Sequence, residues 1–220
     1  IIDGSECWNL STDDTFTISD TEFSLILDKE MVIFNNSIGD ITAVDTRTGI
    51  INWQLPTQGR QVANESYNYK TSELVSDGKS IFFSNNKNEF YSIDVKTGTI
   101  NWISEINSTV MPIVIKNIIF TISTDGYLYA IEKNKGNIIR ITDVYTYIKK
   151  KNRKNVSPVG FRIGSKNLYL TNSDGSLSVV DLSSGKIIKT TKVSNSYISK
   201  PVIFNNNLFI VKNGSVIQYK

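Results

Sequence analysis

Few side chains in this sequence have the types and spacing that catalysis requires. The 220 residues include no histidine and a single cysteine, Cys7. Without histidine, the usual Ser–His and Cys–His nucleophile systems and most zinc sites are excluded. A lone cysteine cannot form an internal disulfide, and Cys7 is expected to be a small buried apolar residue. The sequence therefore predicts no catalytic residue and no metal ligand, which directs attention to binding.

The residues best suited to binding lie in two long segments rich in lysine, arginine and tyrosine. Residues 56–71 and 144–158 each connect predicted strands, and loops on a rigid scaffold commonly carry function. The candidate contact residues are Arg60, Tyr67, Tyr69, Tyr145, Tyr147, Lys149, Lys150, Lys151, Arg153 and Lys154. Basic and aromatic side chains together suit an acidic protein surface. Anionic lipid, nucleic acid and a merely solvated loop are the alternatives.

The overall charge does not favour nucleic acid. Lysine and arginine number 24 against 21 aspartate and glutamate, so the net charge is only +3. This excess is too small to indicate a nucleic-acid surface by itself. No apolar run approaches the length of a membrane span. We therefore expect a protein partner, no nucleic acid, and membrane association only through a lipid anchor or segment outside this chain.

The two candidate segments lie between repeated segments of the sequence, which are expected to form the scaffold that positions them. Residues 39–53, 88–102, 126–140 and 175–189 align without gaps, and in each an acidic residue precedes a glycine by four positions. The pairs are Asp45/Gly49, Asp94/Gly98, Glu132/Gly136 and Asp181/Gly185. Four positions after each glycine come Trp53, Trp102, Arg140 and Lys189. A constant segment with variable spacers indicates a structural repeat with loops of unequal length.

Each repeat has the pattern of a small β-sheet. Runs of branched and aromatic residues, such as MVIFNN, SIFFSNN, IIFTISTDG and LYLTNSDG, end in turn residues. The Asp-Gly pairs at 125–126 and 174–175 are typical of two-residue hairpin loops. Each repeated acid is expected to cap its turn, where the glycine supplies positive φ. Four antiparallel strands per repeat predict an all-β protein, a β-propeller of four-stranded blades.

The ends of the sequence predict about five blades in a single domain, residues 1–220. Residues 208–220 repeat the second and third strands of a blade, and Gly4 and Trp8 have the spacing of Gly49 and Trp53. The N-terminal strand is therefore expected to complete the fifth blade and close a ring, although a stretch of a larger propeller would look the same. Trp8, Trp53 and Trp102 are expected to pack between neighbouring blades.

The motif Ala-x-Asp-x-x-Thr-Gly-x-x-x-Trp resembles the repeat of the PQQ-like β-propeller family. It occurs at 43–53 and, with Ser92 in place of alanine, at 92–102. In the quinoproteins of that family the cofactor lies over a vicinal cysteine pair beside calcium, and this sequence has no such pair. The comparison thus implies no cofactor. Within the family, residues 200–220 are similar to the C-terminal portion of the lipoprotein scaffolds of outer-membrane protein assembly.

This resemblance implies a non-enzymatic protein-interaction scaffold. It implies a periplasmic location at the outer membrane, and binding to the periplasmic domains of the barrel-assembly protein. Two alternatives stay open. A degenerate quinoprotein or small-molecule-binding propeller would require carboxylates that converge on the propeller axis. An extracytoplasmic sensor domain of a membrane receptor would require a membrane span in the parent protein.

Overall fold

The computed structural model describes residues 3–12, 23–57 and 70–220. These residues form two compact units, 1–109 and 110–220, which are treated separately below. Strands dominate both units, and the described residues contain one 3-10 helix, Lys150–Asn155. No helix in the described part of the chain is long and apolar enough to cross a membrane.

The first unit contains two four-stranded antiparallel sheets with strands in chain order. Sheet 1 consists of β1 (Leu25–Asp28), β2 (Met31–Asn35), β3 (Ile41–Asp45) and β4 (Ile51–Leu55). Sheet 2 consists of β5 (Val75–Ser76), β6 (Ser80–Ser84), β7 (Phe90–Asp94) and β8 (Ile100–Ser104). The middle strands are the most buried, and Ile33, Ile41, Ile81, Phe83 and Ile93 form the centre of the core.

The second unit contains three further antiparallel sheets. Sheet 3 consists of β9 (Ile113–Ile115), β10 (Ile118–Ile122), β11 (Tyr127–Glu132) and β12 (Ile138–Asp143). Sheet 4 consists of β13 (Pro158–Ile163), β14 (Asn167–Asn172), β15 (Ser176–Asp181) and β16 (Ile187–Lys192). Sheet 5 has three strands, β17 (Val202–Phe204), β18 (Asn207–Lys212) and β19 (Ser215–Tyr219). The predicted blade pattern is thereby confirmed in four complete sheets and one partial sheet.

The repeat seen in the sequence is also a repeat of register. In every four-stranded sheet the third and fourth strands pair with a one-residue irregularity at the same place. The residue two positions before the acid lies opposite the Trp, Arg or Lys position, as in Ala43↔Trp53 and Ala130↔Arg140. A bulge increases local twist and bends the strand, so the same backbone shape recurs in each sheet.

The three repeated aspartates cap the turns that they precede, as predicted, whereas the carboxylate of Glu132 accepts a bond from the Asn137 side chain instead. The Oδ1 atom of Asp45 accepts hydrogen bonds from the backbone N–H groups of Arg47 and Thr48 at 3.0 and 2.8 Å. Asp181 accepts bonds from the hydroxyl and N–H of Ser184, which lower the pKa of its carboxyl to about 2. The glycine that ends each turn has positive φ, +69° at Gly49 and +74° at Gly185. These carboxylates therefore fix backbone geometry.

Trp53 links the two sheets of the first unit, as expected from the sequence. The Nε1–H of Trp53 on β4 donates to the carbonyl of Val95 in sheet 2 at 3.1 Å, and the indole ring lies on Gly98. Trp8 makes the same contact with sheet 1, through the carbonyl of Thr46 at 2.9 Å. Trp102 stacks on Phe90 in its own sheet, with ring centroids 5.9 Å apart.

Three sequence-based expectations differ from the structure. Residues 3–12 contain no strand, and the fifth sheet has the order β17-β18-β19, so the expected fourth strand from the N-terminus is absent from it. The N-terminal segment instead contributes Trp8 to sheet 1. The hairpins that contain Asp125-Gly126 and Asp174-Gly175 have loops longer than two residues, at 123–126 and 173–175. Cys7, expected to be buried, is exposed.

Candidate functional site

The segment 144–158, here called the basic loop, connects β12 of sheet 3 to β13 of sheet 4, as predicted. Its lysines begin immediately before the 3-10 helix and continue through it. The other candidate segment supplied Arg60, Tyr67 and Tyr69, which lie outside the described residues. The candidate surface described below is therefore the one formed by the basic loop.

Tyr145 is a fully buried anchor of the basic loop and not an exposed contact residue, which corrects the expectation for this position. Its ring lies directly against Gly126, in the turn between β10 and β11. Its hydroxyl donates to Oδ1 of Asn172 on β14 at 2.9 Å. Burial raises the pKa of the phenol well above its ordinary value. The residue thus ties the loop to sheets 3 and 4.

Tyr147 presents one edge to solvent and is 40% exposed. Its hydroxyl lies 3.2 Å from Ser176 Oγ and accepts a bond from Asn172 Nδ2 at 3.2 Å. The ring meets that of Tyr145 edge to face, with centroids 6.3 Å apart. A ring held in this way loses little conformational freedom when a partner covers its exposed edge.

Arg153 folds back into the basic loop and does not project from it. Its Nη2 lies 2.9 Å from Oδ2 of Asp143 and donates to the carbonyl of Tyr145 at 3.0 Å. The side chain is 17% exposed. A guanidinium that satisfies a carboxylate and a carbonyl at once fixes loop geometry. Arg153 is therefore a positioning residue.

Four lysines of the basic loop remain at the surface: Lys149, Lys150, Lys151 and Lys154. Three of them lie in the 3-10 helix and Lys149 directly precedes it, and the helix has no buried residue and no acidic residue in its first turn. Like charges held close together repel one another, so a complementary acidic surface gains favourable interactions with all of them. These lysines and Tyr147 are the exposed part of the predicted site.

We expect Arg153→Gln to loosen the basic loop without unfolding the second unit. The change removes an ion pair and a charged hydrogen bond, and bonds of this kind contribute about 1.5–3 kcal/mol. Backbone amides of residues 146–156 should exchange hydrogen faster, as measured by mass spectrometry. Arg162→Gln on β13 is the control, because among the described residues Arg162 donates to the carbonyl of Phe161 and not to the basic loop. Equal exchange in the two variants would contradict the positioning role.

A second connection at the same end of sheet 4 escaped the sequence reasoning. Residues 193–201 run from β16 to β17, so they are the same class of connection as the basic loop. They begin after Lys192 and include Tyr197, which is exposed. The repeat alignment could have identified this connection, because it places every connection of this class at one end of the sheets. The amino-acid composition could not, because the connection is short and contains no run of charged residues.

The described residues contain no group of three or more histidine, cysteine, aspartate or glutamate side chains placed to hold a metal ion. The repeated acids Asp45, Asp94 and Asp181 are engaged with their own turns. Each of these carboxylates therefore fixes the backbone of its own turn.

Comparison with known proteins identifies relatives of this chain. The profile of a family described as outer membrane protein assembly factor BamB matches residues 1–142. No curated protein matches the chain. Among solved structures, BamB from Moraxella catarrhalis is similar over 98% of this chain and 63% of its own, with 18% identity and a TM-score of 0.76. The chain thus spans less than two thirds of that relative.

Two other similar structures support the fold. The computationally designed Ika8 protein matches 89% of this chain and 57% of its own, with 14% identity and a TM-score of 0.66. The β-propeller domain of Cps50 (Swd1) from Myceliophteria thermophila matches 90% of this chain and 64% of its own, with 11% identity and a TM-score of 0.62. Together with the recurring four-stranded sheets, these similarities show an all-β, propeller-type fold.

Proposed function

Because the chain belongs to the family of the outer membrane protein assembly factor BamB, we propose that it is a non-enzymatic protein-interaction scaffold for the assembly of outer-membrane β-barrels. The proposed location is the periplasm, at the outer membrane, with any lipid anchor or membrane segment outside this chain. The proposed partner is the set of periplasmic domains of the barrel-assembly protein. Residues 1–220 are proposed to act as a single propeller domain.

The observation that carries this proposal is the construction of the basic loop. On the inner side of the loop, Tyr145 and Arg153 are fixed by hydrogen bonds. On its outer side, four lysines and part of Tyr147 are exposed to solvent. A preorganised surface binds with a smaller entropic cost than a loop that must first become ordered. Complementary charge then accelerates encounter and selects acidic surfaces over basic ones. No titratable catalytic group is needed for such a role.

A pull-down with the periplasmic domains of the barrel-assembly protein tests the proposal. The variant replaces Lys149, Lys150, Lys151 and Lys154 with serine and keeps Arg153, since Arg153 supports the loop. Each exposed ion pair contributes about 0.2–1 kcal/mol, so four together are expected to weaken binding by about 1–3 kcal/mol. Raising the salt concentration should weaken the wild type and leave the variant less affected.

The matched control removes the same charge from the opposite end of sheets 3 and 4. Lys116, Lys135, Lys166 and Lys186 are exposed in the turns at that end, and they are replaced with serine. This control should bind like the wild type. If a folded wild-type protein does not bind, the assembly function is wrong. If the two quadruple variants bind equally, the basic loop is not the contact surface.

A further inference from the structure

We propose that a polar cleft beside the basic loop binds an acidic, extended segment of the protein partner. The cleft has a volume of about 430 Å³ and is lined by Lys192, Val193, Ser194, Asn195, Ser196, Lys212 and Asn213. It lies where the connection from β16 to β17 meets the turn between β18 and β19. This inference rests on the proposed function only in taking the partner to be a protein.

The cleft has a fixed shape because its walls are hydrogen-bonded to each other. Lys212 Nζ donates to the carbonyl of Val193 at 2.6 Å, which joins sheet 5 to the connection. Ser196 Oγ donates to Oδ1 of Asn213 at 2.8 Å and lies 2.8 Å from Ser194 Oγ. The N–H groups of Val193 and Ser194 both donate to the carbonyl of Gly175. A ligand therefore meets polar groups that are already in position.

The charge of the cleft favours a carboxylate. Two of its lining side chains are lysines, and none is acidic. Lys192, whose side chain is 51% exposed, donates to the carbonyl of Asp174, and its Nζ lies 4.0 Å from the Asp174 carboxylate. That carboxylate is also held by the N–H and hydroxyl of Ser176. An ammonium group has three donors, so one carbonyl does not exhaust either lysine.

The cleft and the basic loop both contact one turn. This turn, 173–175, joins β14 to β15. The basic loop reaches it through Asn172, which bonds Tyr145, Tyr147 and Ser176. From the cleft, the carbonyls of Ser194 and Ser196 lie so close to Gly175 that a Cβ there would overlap them. A segment that crosses the turn therefore contacts both basic surfaces.

The surroundings favour a polypeptide over a membrane. Serine and asparagine groups that hydrogen-bond in defined directions alternate with the lysines, and exposed Tyr197 stands next to Ser196. Tyrosine with serine and asparagine is the composition of antibody loops that bind proteins, whereas lipid headgroups are recognised mainly through clustered positive charge. An extended segment carrying carboxylates and an aromatic ring matches all of these groups.

The test measures binding of a short fluorescein-labelled peptide of alternating glutamate and tyrosine to the full chain by fluorescence anisotropy. Lys192→Glu should weaken binding by about tenfold, because a charge-assisted hydrogen bond contributes about 1.5 kcal/mol or more. Asn195→Asp, which adds a negative charge and leaves both lysine contacts in place, should also weaken it. Lys186→Glu is the control, since it makes the same charge change in the turn at the other end of β16.

Weakening by both cleft variants, with little effect of Lys186→Glu, supports the cleft whether or not the barrel-assembly domains bind in the pull-down. Equal affinity of all variants, or failure of the peptide to bind the folded wild type, overturns it and leaves the assembly function to be decided by the pull-down. Binding to vesicles that contain phosphatidylglycerol, or to inorganic phosphate, without binding to the peptide also overturns it. Circular dichroism of each variant establishes that the cleft variants are folded.

Discussion

Replacing Trp53 with alanine is expected to lower the free energy of unfolding of the first unit by about 3–5 kcal/mol. The indole is 9% exposed and lies on Gly98 so closely that a Cβ built there would be 2.5 Å from the ring. Its removal opens a cavity between sheets 1 and 2 that the backbone turn cannot fill. It also deprives the Val95 carbonyl of the indole N–H.

Urea unfolding followed by circular dichroism measures this loss. The control is Ile51→Ala on the same strand, because Ile51 is 44% exposed and its truncation opens no cavity. It should change stability by about 0.5 kcal/mol or less. Trp53→Phe keeps an aromatic ring but no N–H donor, so an intermediate loss is expected. Equal effects of Trp53→Ala and Ile51→Ala would contradict the linking role of the tryptophan.

Local repeats made the turns and the tryptophan contacts predictable. An acid, a glycine four positions later and a bulky residue after a further four are short-range features, and a bulged hairpin fixes where each one lies. The repeat position that Trp53 occupies does not require a tryptophan. Arg140 at the equivalent position donates to the carbonyls of Leu182 and Ser183. Two different side chains thus meet the same requirement, a donor to the next turn.

The role of each candidate in the basic loop was not predictable from composition. Tyr145 and Tyr147 are two positions apart and identical in type, yet one is buried and the other half exposed. Gly126 admits the first ring because it has no side chain, and that contact joins positions distant in sequence. Arg153 likewise differs from its neighbouring lysines because Asp143 lies within reach at the end of β12.

At the N-terminus, too, the tryptophan contact was predictable from local spacing, whereas the strand pairing was not. The spacing of Gly4 and Trp8 correctly predicted that Trp8 occupies a tryptophan position. It did not determine whether the backbone around Trp8 joins a sheet, because pairing depends on a partner strand far away in the sequence. Residues 3–12 accordingly contribute a side chain contact without a strand.

Gly126→Ala is expected to destabilise the second unit strongly, because two separate costs add. Gly126 has φ +82°, and a left-handed conformation costs a residue with a side chain about 1–2 kcal/mol. In addition, a methyl group at this position would overlap the ring of Tyr145. Overpacking of a core typically costs about 1–3 kcal/mol more. Because Tyr145 anchors the basic loop, the variant should also expose the loop amides to hydrogen exchange.

Gly214→Ala separates the two contributions. Gly214 also has positive φ, +73°, but a Cβ at this position meets no atom within 4 Å. Its replacement should cost only the backbone term, about 1–2 kcal/mol, and leave exchange in the basic loop unchanged. In a Tyr145→Ala background, Gly126→Ala should cost only the backbone term, because alanine lacks the Cγ and ring atoms that a Cβ at position 126 would overlap. If Gly126→Ala and Gly214→Ala are equally destabilising, the glycine is needed only for its backbone conformation, and Tyr145 does not depend on the space it leaves.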